Sequence, residues 1–262
     1  MSLINVSIVT YETNPEELRK AIASVLCTKL DVKVSVVDNS SHNIGFGKAH
    51  NTVIQKTIED GTKYHLVLNP DVYFEPQTVE KIYEFMEKNP DVGILMPKIL
   101  YPDGSIQYLC KLLPTPVDVI LRRFLPIKKI IGKRNEIYEL RFAKYDKIME
   151  APYLSGCFMF IRTEVFKRVG LFDERLFMYF EDVDLSRRIH KYYRTVYYPE
   201  VCVYHGFGKG SYKNFKLLRY HITSAIQYFN KWGWFFDRER EEINKETLEK
   251  LTPLTKMVYT PN

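Results

Sequence analysis

The residues best suited to chemistry lie in the segment Phe180–Arg188, where Glu181, Asp182 and Asp184 place three carboxylates within four positions. The segment follows the apolar and aromatic run 176–180 and precedes a helical pattern. Removing adjacent carboxylates from water is costly unless a cation, a bound substrate or a moving proton compensates. Such a cluster can therefore act as a general base toward an acceptor hydroxyl. The alternative is an ordinary acidic first turn of a helix, because Asp and Glu are favoured there.

Polar residues also follow three predicted strands, at the point where each strand ends. Strand-like and helical segments alternate over the first hundred residues, which predicts an α/β fold whose mostly parallel sheet is flanked by helices. Ligands bind to such sheets beyond the carboxyl ends of the strands. The three clusters therefore predict one shared site, made of Thr10-Tyr11-Glu12, Asp38-Asn39-Ser40 and Asn69-Pro70-Asp71.

The elements that position these residues follow from the spacing of apolar side chains and from turn residues. In the first half the pattern predicts strands at 6–10, 32–37, 64–68 and 92–97, a helix opened by Asn14-Pro15, and helices at 47–58 and 77–88. The second half is less regular. There the pattern predicts a hairpin at 99–108, one strand at 153–162, a helix at 185–192, an extended run at 196–203, helical and aromatic sequence after Ser211, and a charged tail at 237–250.

The loop Asn43–Asn51 places Gly45, Gly47 and Lys48 immediately before a predicted helix. Glycine lets the backbone approach a ligand closely, and a helix N-terminus favours negative charge. The loop is not the dinucleotide fingerprint, which would have to follow the first strand. Glycine-rich turns are common, so this loop indicates an anion site only together with the strand ends.

His205 lies beside Gly206, ahead of two further glycines, in a segment that follows an extended run. A histidine among glycines is more accessible than one on an apolar face. It could bind a metal or contact a phosphate, and an ordinary loop histidine is the alternative.

The composition indicates a folded globular protein, with 45% hydrophobic and 14% aromatic residues. A formal net charge of +6 fits an anionic partner without identifying it. The four cysteines form no C-x-x-C pair, which favours reduced cytosolic thiols over a zinc site or a disulfide framework. The N-terminus leads directly into a strand, and no apolar run is long enough to span a bilayer, so we expect a cytoplasmic protein.

The segment Ile120–Arg134 is basic and apolar and contains no acidic residue. Such a segment can bind an anionic membrane surface reversibly, because basic residues are attracted to the lipid and apolar residues insert. An insertion whose apolar residues pack inward is equally compatible with the sequence. Peripheral contact with the inner face of the plasma membrane is therefore one of two open interpretations.

Taken in order, these residues resemble the family 2 glycosyltransferases with the GT-A fold, particularly a bacterial rhamnosyltransferase-like branch. The resemblance covers residues 4 to about 211. It is carried by Val6–Tyr11, Val36–Ser41, Asn43–Gly47 with Asn51, Leu68–Asp71, Leu154–Gly156, Gly170–Asp173, Phe180–Asp184 and His205. It implies a GT-A domain over 1–215, with a nucleotide-sugar-binding half (1–100) and an acceptor and catalytic half (101–215), and a helical extension over 216–262.

The resemblance also implies an inverting transfer of a sugar from a nucleotide diphosphate-sugar to an acceptor hydroxyl. By this correspondence Asp182 is the general base, paired with Glu181. Asp71 and His205 correspond to ligands of a divalent cation, Mg²⁺ or Mn²⁺. The positions expected around the nucleotide-sugar are Thr10, Tyr11, Glu12, Asp38, Asn39, Gly45, Lys48, Asn51, Asn69 and Asp71.

Asn69 departs from the family pattern, because it occupies the position of the first acid in the Asp-x-Asp metal motif. Mg²⁺ usually keeps only one or two protein carboxylates beside substrate phosphates. The loss of one acid therefore weakens charge compensation without abolishing a metal site.

The branch resemblance favours rhamnose from a dTDP donor, transferred to a growing, lipid-linked surface polysaccharide. A UDP-hexose donor is the alternative, since the residues that hold the base and the diphosphate are shared. A nucleotide-sugar-binding protein without catalysis is a further alternative, supported only by Asn69. A dinucleotide-dependent oxidoreductase is disfavoured, because Thr10–Asn14 replaces the glycine-rich turn after the first strand.

Overall fold

The computed structural model describes residues 2–119, 128–206 and 215–252, with only the backbone for 128–131. The strands are β1 (Ile4–Thr10), β2 (Val32–Asp38), β3 (Tyr64–Leu68), β4 (Val72–Phe74), β5 (Val92–Leu100), β6 (Cys110–Lys111), β7 (Met149–Glu150), β8 (Tyr153–Leu154), β9 (Phe158–Arg162) and β10 (Arg194–His205). The helices are α1 (Pro15–Leu26), α2 (Phe46–Glu59), α3 (Thr78–Lys88), α4 (Lys128–Tyr138), α5 (Thr163–Val169), α6 (Glu181–His190), α7 (Phe215–Trp232) and α8 (Arg238–Leu251), with a 3₁₀ turn at Arg141–Ala143.

Within the described ranges, eight strands form one mixed sheet in the order β2-β1-β3-β9-β5-β10-β4, and β7 pairs with β10. The pairs β1–β2, β1–β3 and β5–β10 are parallel. β9 is antiparallel to both β3 and β5, and β4 is antiparallel to β10. The predicted helix-flanked, mostly parallel sheet is confirmed. The antiparallel β9 brings the second half of the chain into the centre of the sheet.

The first hundred residues fold as their sequence pattern predicts. All seven residues of β1 are buried, as expected for a central strand covered on both faces. Asn14 caps α1, because its side chain accepts a hydrogen bond from the Glu16 N–H at 2.9 Å. Inside the sheet–helix layer, the Ser7 hydroxyl lies 2.7 Å from His50 Nδ1 and 2.8 Å from His65 Nε2, so these polar groups satisfy one another.

The expectation of one continuous strand over 153–162 is wrong. β8 and β9 are separate, because the intervening Gly156 N–H donates to the Asp182 carboxylate at 2.9 Å instead of to a neighbouring strand. The hairpin predicted at 99–108 is confirmed, because Leu100 and Ile106 form an antiparallel bridge and the Tyr101 N–H donates to the Ser105 carbonyl at 2.7 Å.

The helix predicted at 185–192 extends further toward the N-terminus, since α6 begins at Glu181, in agreement with the alternative of an acidic first turn. Tyr179 and Phe180 have φ angles of 69° and 68°, so the chain reverses direction just before the acidic residues. The three acidic residues therefore occupy the first turn of α6.

The charged region after Asp237 is the helix α8, which with α7 forms the expected C-terminal helical extension. The guanidinium of Arg187 on α6 donates to both carboxylate oxygens of Asp237, at 2.6 and 2.7 Å, and both side chains are buried. Phe180 packs between α6 and α7 against Tyr228 and Phe229. The C-terminal helices therefore hold the acidic segment in place.

None of the helices in the described ranges is both long and apolar enough to cross a membrane. The first part of the basic segment predicted to touch a membrane, residues 120–127, lies outside the described residues. Arg134, at its end, donates to the buried Asp118 carboxylate at 2.5 Å and so binds inward.

Candidate active site

The carboxyl ends of β1 and β2 lie side by side, with Thr10 paired to Asp38 in the parallel register. The Asn39 N–H donates to the Thr10 carbonyl at 2.8 Å, which fixes the two strand ends together. The Asp38 carboxylate accepts from the Ser40 N–H at 2.9 Å, and bonds from Ser40 lower the pKa of Asp38. Glu12 has a φ of 48°, which turns the chain away from the strand directly after Tyr11. These predicted residues form one polar edge.

The Asn39 side chain is buried and shapes the following loop. Its carbonyl oxygen accepts from the Ile44 N–H at 3.0 Å, and its amide donates to Asn43 at 3.0 Å. Gly45 has a φ of +93°, and a Cβ there would lie 2.6 Å from the Phe177 carbonyl oxygen. Only glycine fits without displacing this backbone, which explains its presence.

Asn51 and Lys48 connect α2 to the segment that precedes the acidic residues. The buried Asn51 amide donates to the Phe172 carbonyl and accepts from the Phe172 N–H, both at 3.0 Å. Lys48 Nζ lies 3.3 Å from Glu174. Both side chains are thus already engaged within the protein, and their contact with a nucleotide stays a prediction.

Asp71 and His205, the two expected metal ligands, are adjacent. β4 and β10 pair so that His205 lies opposite Val72, and His205 Nε2 is 3.5 Å from Asp71 Oδ1. Asn69 Nδ2 lies 3.4 Å from the same nitrogen. Gly206 is also close, since a Cβ there would make an ordinary contact with Asp71 Oδ2 at 3.6 Å. The structure thus brings together the predicted residues from two distant parts of the sequence.

Gln107 fixes the tautomer of His205. No sequence pattern predicted this role of Gln107. The Gln107 side-chain amide donates to the His205 carbonyl at 2.8 Å and to the Leu100 carbonyl at 3.3 Å. Its oxygen must then be the group that faces His205 Nδ1 at 3.0 Å, so Nδ1 carries the proton. Burial lowers the pKa of His205 against the opposing charge of Asp71, which favours the neutral ring. The lone pair of Nε2 therefore points toward Asp71.

A neutral imidazole nitrogen and a carboxylate oxygen that face each other suit a divalent cation between them. Among the described residues, no group of three or more His, Cys, Asp or Glu side chains could hold a metal. The pair thus provides two protein ligands, and phosphate oxygens of a ligand would complete the coordination. The donor set fits Mg²⁺ or Mn²⁺ under that condition.

Asp182 is partly buried at the start of α6 and accepts three hydrogen bonds. Its donors are the Gly156 N–H at 2.9 Å, the Val183 N–H at 2.9 Å and the Tyr153 hydroxyl at 3.2 Å. Burial raises the pKa of Asp182, while these bonds and the nearby Lys111 ammonium oppose the rise. Sequence reasoning missed Tyr153 and Lys111, which pair with each other across β6 and β8. Asp182 is thus a positioned carboxylate with an elevated pKa, as a base requires.

Glu181 is buried, and no hydrogen-bond partner within the described ranges reaches its Oε2 atom. Burial, followed by the neighbouring Asp182 charge, raises the pKa of Glu181 well above its ordinary value. Because burial disfavours two adjacent negative charges, a state in which one of the two carboxyl groups holds a proton is favoured. We assign that proton to Glu181, the more deeply buried of the two.

Asp184, the third carboxylate of the acidic segment, is bound by other residues. The fully buried Asp184 carboxylate accepts from Arg188 at 2.8 Å, and its other oxygen lies 2.6 Å from Lys231 Nζ. The Trp232 indole N–H donates to it at 2.7 Å. Asp184 therefore ties α6 to α7 and does not join the candidate base.

The candidate base Asp182 and the Asp71–His205 pair share one wall, formed by Gly156 and Cys157. The Gly156 N–H binds Asp182, and the Cys157 carbonyl accepts from the Asn69 N–H at 2.9 Å. Burial raises the pKa of the Cys157 thiol, and the charges of Asp71 and Asp182 add to that rise.

Residues 14–170 match the family described as Glycosyl transferase family 2. The chain belongs to that family. It is therefore a glycosyltransferase, and the predicted family is confirmed. N-acetylglucosaminyl-diphospho-decaprenol L-rhamnosyltransferase of Mycobacterium tuberculosis is 30% identical over 234 residues, covering 75% of this chain and 74% of that protein.

Two further similarities agree with this assignment. Rhamnosyltransferase WbbL of Escherichia coli K12 is 25% identical over 209 residues, covering 76% of this glycosyltransferase and 75% of that protein. The crystal structure of GalNAc-T7, solved with UDP, GalNAc and Mn²⁺, superposes with a TM-score of 0.56 at 14% identity. That match covers 88% of this chain and 48% of the other, and it supports the GT-A fold alone.

Proposed function

We propose that this glycosyltransferase moves rhamnose from dTDP-rhamnose, with inversion, to a hydroxyl of a lipid-linked precursor of a surface polysaccharide. The observation that carries the proposal is the shared Gly156–Cys157 wall between Asp182 and the Asp71–His205 pair. The two rhamnosyltransferase relatives support the choice of sugar, and the decaprenol-linked acceptor named for one of them supports the lipid linkage.

In the proposed reaction Asp182 takes the proton of the acceptor hydroxyl. The hydroxyl oxygen then bonds to the anomeric carbon while the bond from that carbon to the diphosphate breaks on the opposite side. Asp182 must be ionised to act, and its hydrogen bonds from Gly156 and Tyr153 orient it for this. A divalent cation at Asp71 and His205 would compensate the charge that develops on the departing diphosphate.

The nucleotide is proposed to lie along the ends of β1 and β2, in contact with Thr10, Tyr11, Glu12 and Asp38. The buried amides of Asn39 and Asn51 would support this surface from below, since both already bind the backbone. Lys48 and Gly45 belong to the same loop. In this proposal residues 1–100 provide the donor half and residues 101–215 the acceptor half, as the sequence suggests.

The acceptor's lipid carrier would place the enzyme at the inner face of the plasma membrane. We propose a cytoplasmic protein that binds this surface reversibly, which accords with the net charge of +6.

A donor panel tests the proposal directly. Purified enzyme would be incubated with dTDP-rhamnose, UDP-glucose, UDP-galactose and UDP-N-acetylglucosamine, and release of the nucleoside diphosphate would be measured. Release from dTDP-rhamnose alone is expected. Preference for a UDP-hexose would replace the proposed donor, and binding of a donor without turnover would indicate a nucleotide-sugar-binding protein.

The metal is tested by binding in the presence and absence of chelator. Asp71→Ala and His205→Ala should each weaken nucleoside diphosphate binding more with Mn²⁺ than with chelator. Asp60→Asn, which changes an exposed carboxylate paired with Lys33, serves as the matched control. Equal wild-type binding with and without metal would remove the metal role and leave His205 as a direct phosphate contact.

A further inference from the structure

The outer face of α7 and the turn that follows it expose an unusual set of apolar side chains. Ile222 and Ile226 are 41% and 43% exposed, and Phe235 and Phe236 are 66% and 97% exposed. Trp234 lies between them in the chain and is also exposed. We call these five residues the apolar ridge. Several exposed aromatic and branched side chains on one helix–turn unit indicate a surface that binds something.

The turn that carries the ridge is rigid. Gly233 has a φ of +105°, and its N–H donates to the Phe229 carbonyl at 2.8 Å. The buried Arg240 guanidinium donates to the Trp234 carbonyl at 3.1 Å and to the Gly233 carbonyl at 3.4 Å. Asp237, which follows the turn, is anchored by Arg187. The fold therefore holds Phe235 and Phe236 out in water by specific bonds, instead of allowing them to collapse onto the core.

The charge around the ridge favours an anionic partner. The sequence contains no Asp or Glu between Glu200 and Asp237. Arg219 is exposed on the helix that carries the ridge, and Arg238, which directly follows its turn, pairs with Glu242. Protruding aromatic side chains flanked by basic residues suit the interface of a bilayer, where rings insert below the headgroups and cations remain among them. A protein partner would instead have to supply a matching cavity.

The inner face of the same helix covers the segment before the candidate base. Tyr220 packs against Phe177 with ring centroids 4.5 Å apart, and the Lys216 ammonium lies 5.8 Å from the Tyr11 ring. One helix thus contacts the candidate site on one side and presents the ridge on the other.

We propose that the apolar ridge is the surface by which this enzyme binds an anionic lipid bilayer. The proposal deepens the proposed function, on which it rests, by naming the face that would bring the site to a lipid-linked acceptor. It places the main contact at α7 and its turn, and not in the segment Ile120–Arg134.

The test is flotation of the whole protein with vesicles of phosphatidylglycerol and phosphatidylethanolamine, compared with vesicles of phosphatidylcholine. We expect binding to the anionic vesicles, and Phe235→Ser/Phe236→Ser should weaken it roughly tenfold or more, because most of the insertable area is lost. Leu26→Ser is the matched control, because Leu26 is 59% exposed on α1, outside the ridge. This control should bind as the wild type does.

Nucleoside diphosphate release in solution is measured for every variant, so that failure of lipid binding is distinguished from failure of the proposed function. Turnover without vesicle binding would overturn the lipid proposal alone. Self-association that Phe235→Ser/Phe236→Ser abolishes, without vesicle binding, would identify the ridge as a contact between two copies and overturn it. Binding that is lost only when Arg122, Arg123, Lys128 and Lys129 are neutralised would assign the contact to the other segment.

Discussion

The dependence of His205 on Gln107 gives a quantitative prediction. Gln107→Leu removes the acceptor at 3.0 Å from His205 Nδ1 and the donor to the His205 carbonyl. A buried N–H left without a partner costs about 1–3 kcal/mol, and the ring is then free to place its proton on Nε2. We therefore expect Mn²⁺-dependent nucleoside diphosphate binding to weaken by about 10- to 100-fold, since loss of an outer-shell partner typically has this effect.

Isothermal titration of Mn²⁺ into enzyme with nucleoside diphosphate, repeated in chelator, measures this effect. Binding in chelator should change little, because Gln107 touches the histidine and not the proposed nucleotide surface. Gln107→Glu is the comparison variant, since it keeps an acceptor for Nδ1 and should retain most of the metal-dependent affinity. Equal Mn²⁺-dependent affinity in wild type and Gln107→Leu would refute the tautomer argument.

Three further predictions follow from the site. Lys111→Met should shift the acid limb of the kcat/KM pH profile to higher pH, because the Lys111 charge lowers the pKa of Asp182. An unchanged acid limb would show that Lys111 does not influence the protonation of Asp182. The folded protein raises the pKa of Glu181, so the free energy of unfolding falls as pH rises above the ordinary pKa of 4.5. Glu181→Gln should remove this loss of stability between pH 5 and pH 7.5 in urea unfolding. The same pH dependence in wild type and variant would contradict the prediction. Gly45→Ala should lower the free energy of unfolding more than Gly104→Ala does. Both glycines have a positive φ, but of the two only a Cβ at Gly45 would meet a carbonyl oxygen, at 2.6 Å. Equal losses of stability would show that the backbone at Gly45 relaxes to accept the Cβ.

Much of the fold could be predicted from the sequence, because β1, α1, β2, α2 and β3 follow local rules. The apolar runs that mark these strands and helices, the Asn14 cap of α1 and the glycine that follows α2 each determine structure within a few residues. The polar strand ends then had to meet at one edge of a parallel sheet. The proximity of Asp71 and His205 followed from the family resemblance, and the pairing of β4 with β10 produces it.

The remaining details depend on contacts between distant residues. Gln107 reaches His205 across 98 positions, and no periodicity marks it. Asp184 could not be separated from Asp182 by sequence, because only the packing of α7 shows that Lys231 and Trp232 bind it. The interruption between β8 and β9 likewise depends on a bond from Gly156 to a carboxylate on another element.

The start of α6 depends on packing as well as on local pattern. The acidic residues form the first turn of the helix, which the sequence left open as an alternative, and Phe180 before them adopts a positive φ and packs against α7. Sequence reasoning cannot anticipate a left-handed phenylalanine, since the conformation is unfavourable without tertiary support.

The central claim is that Asp182 is the base of an inverting sugar transfer, and single-turnover transfer by Asp182→Asn tests it most directly. Donor affinity and thermal stability should remain near the wild-type values, since asparagine can keep an acceptor for the Gly156 N–H. The transfer rate should fall by roughly 10²–10⁴, the usual effect of losing a positioned base. The Asp60→Asn control should transfer at the wild-type rate. Near wild-type transfer by Asp182→Asn would contradict the account.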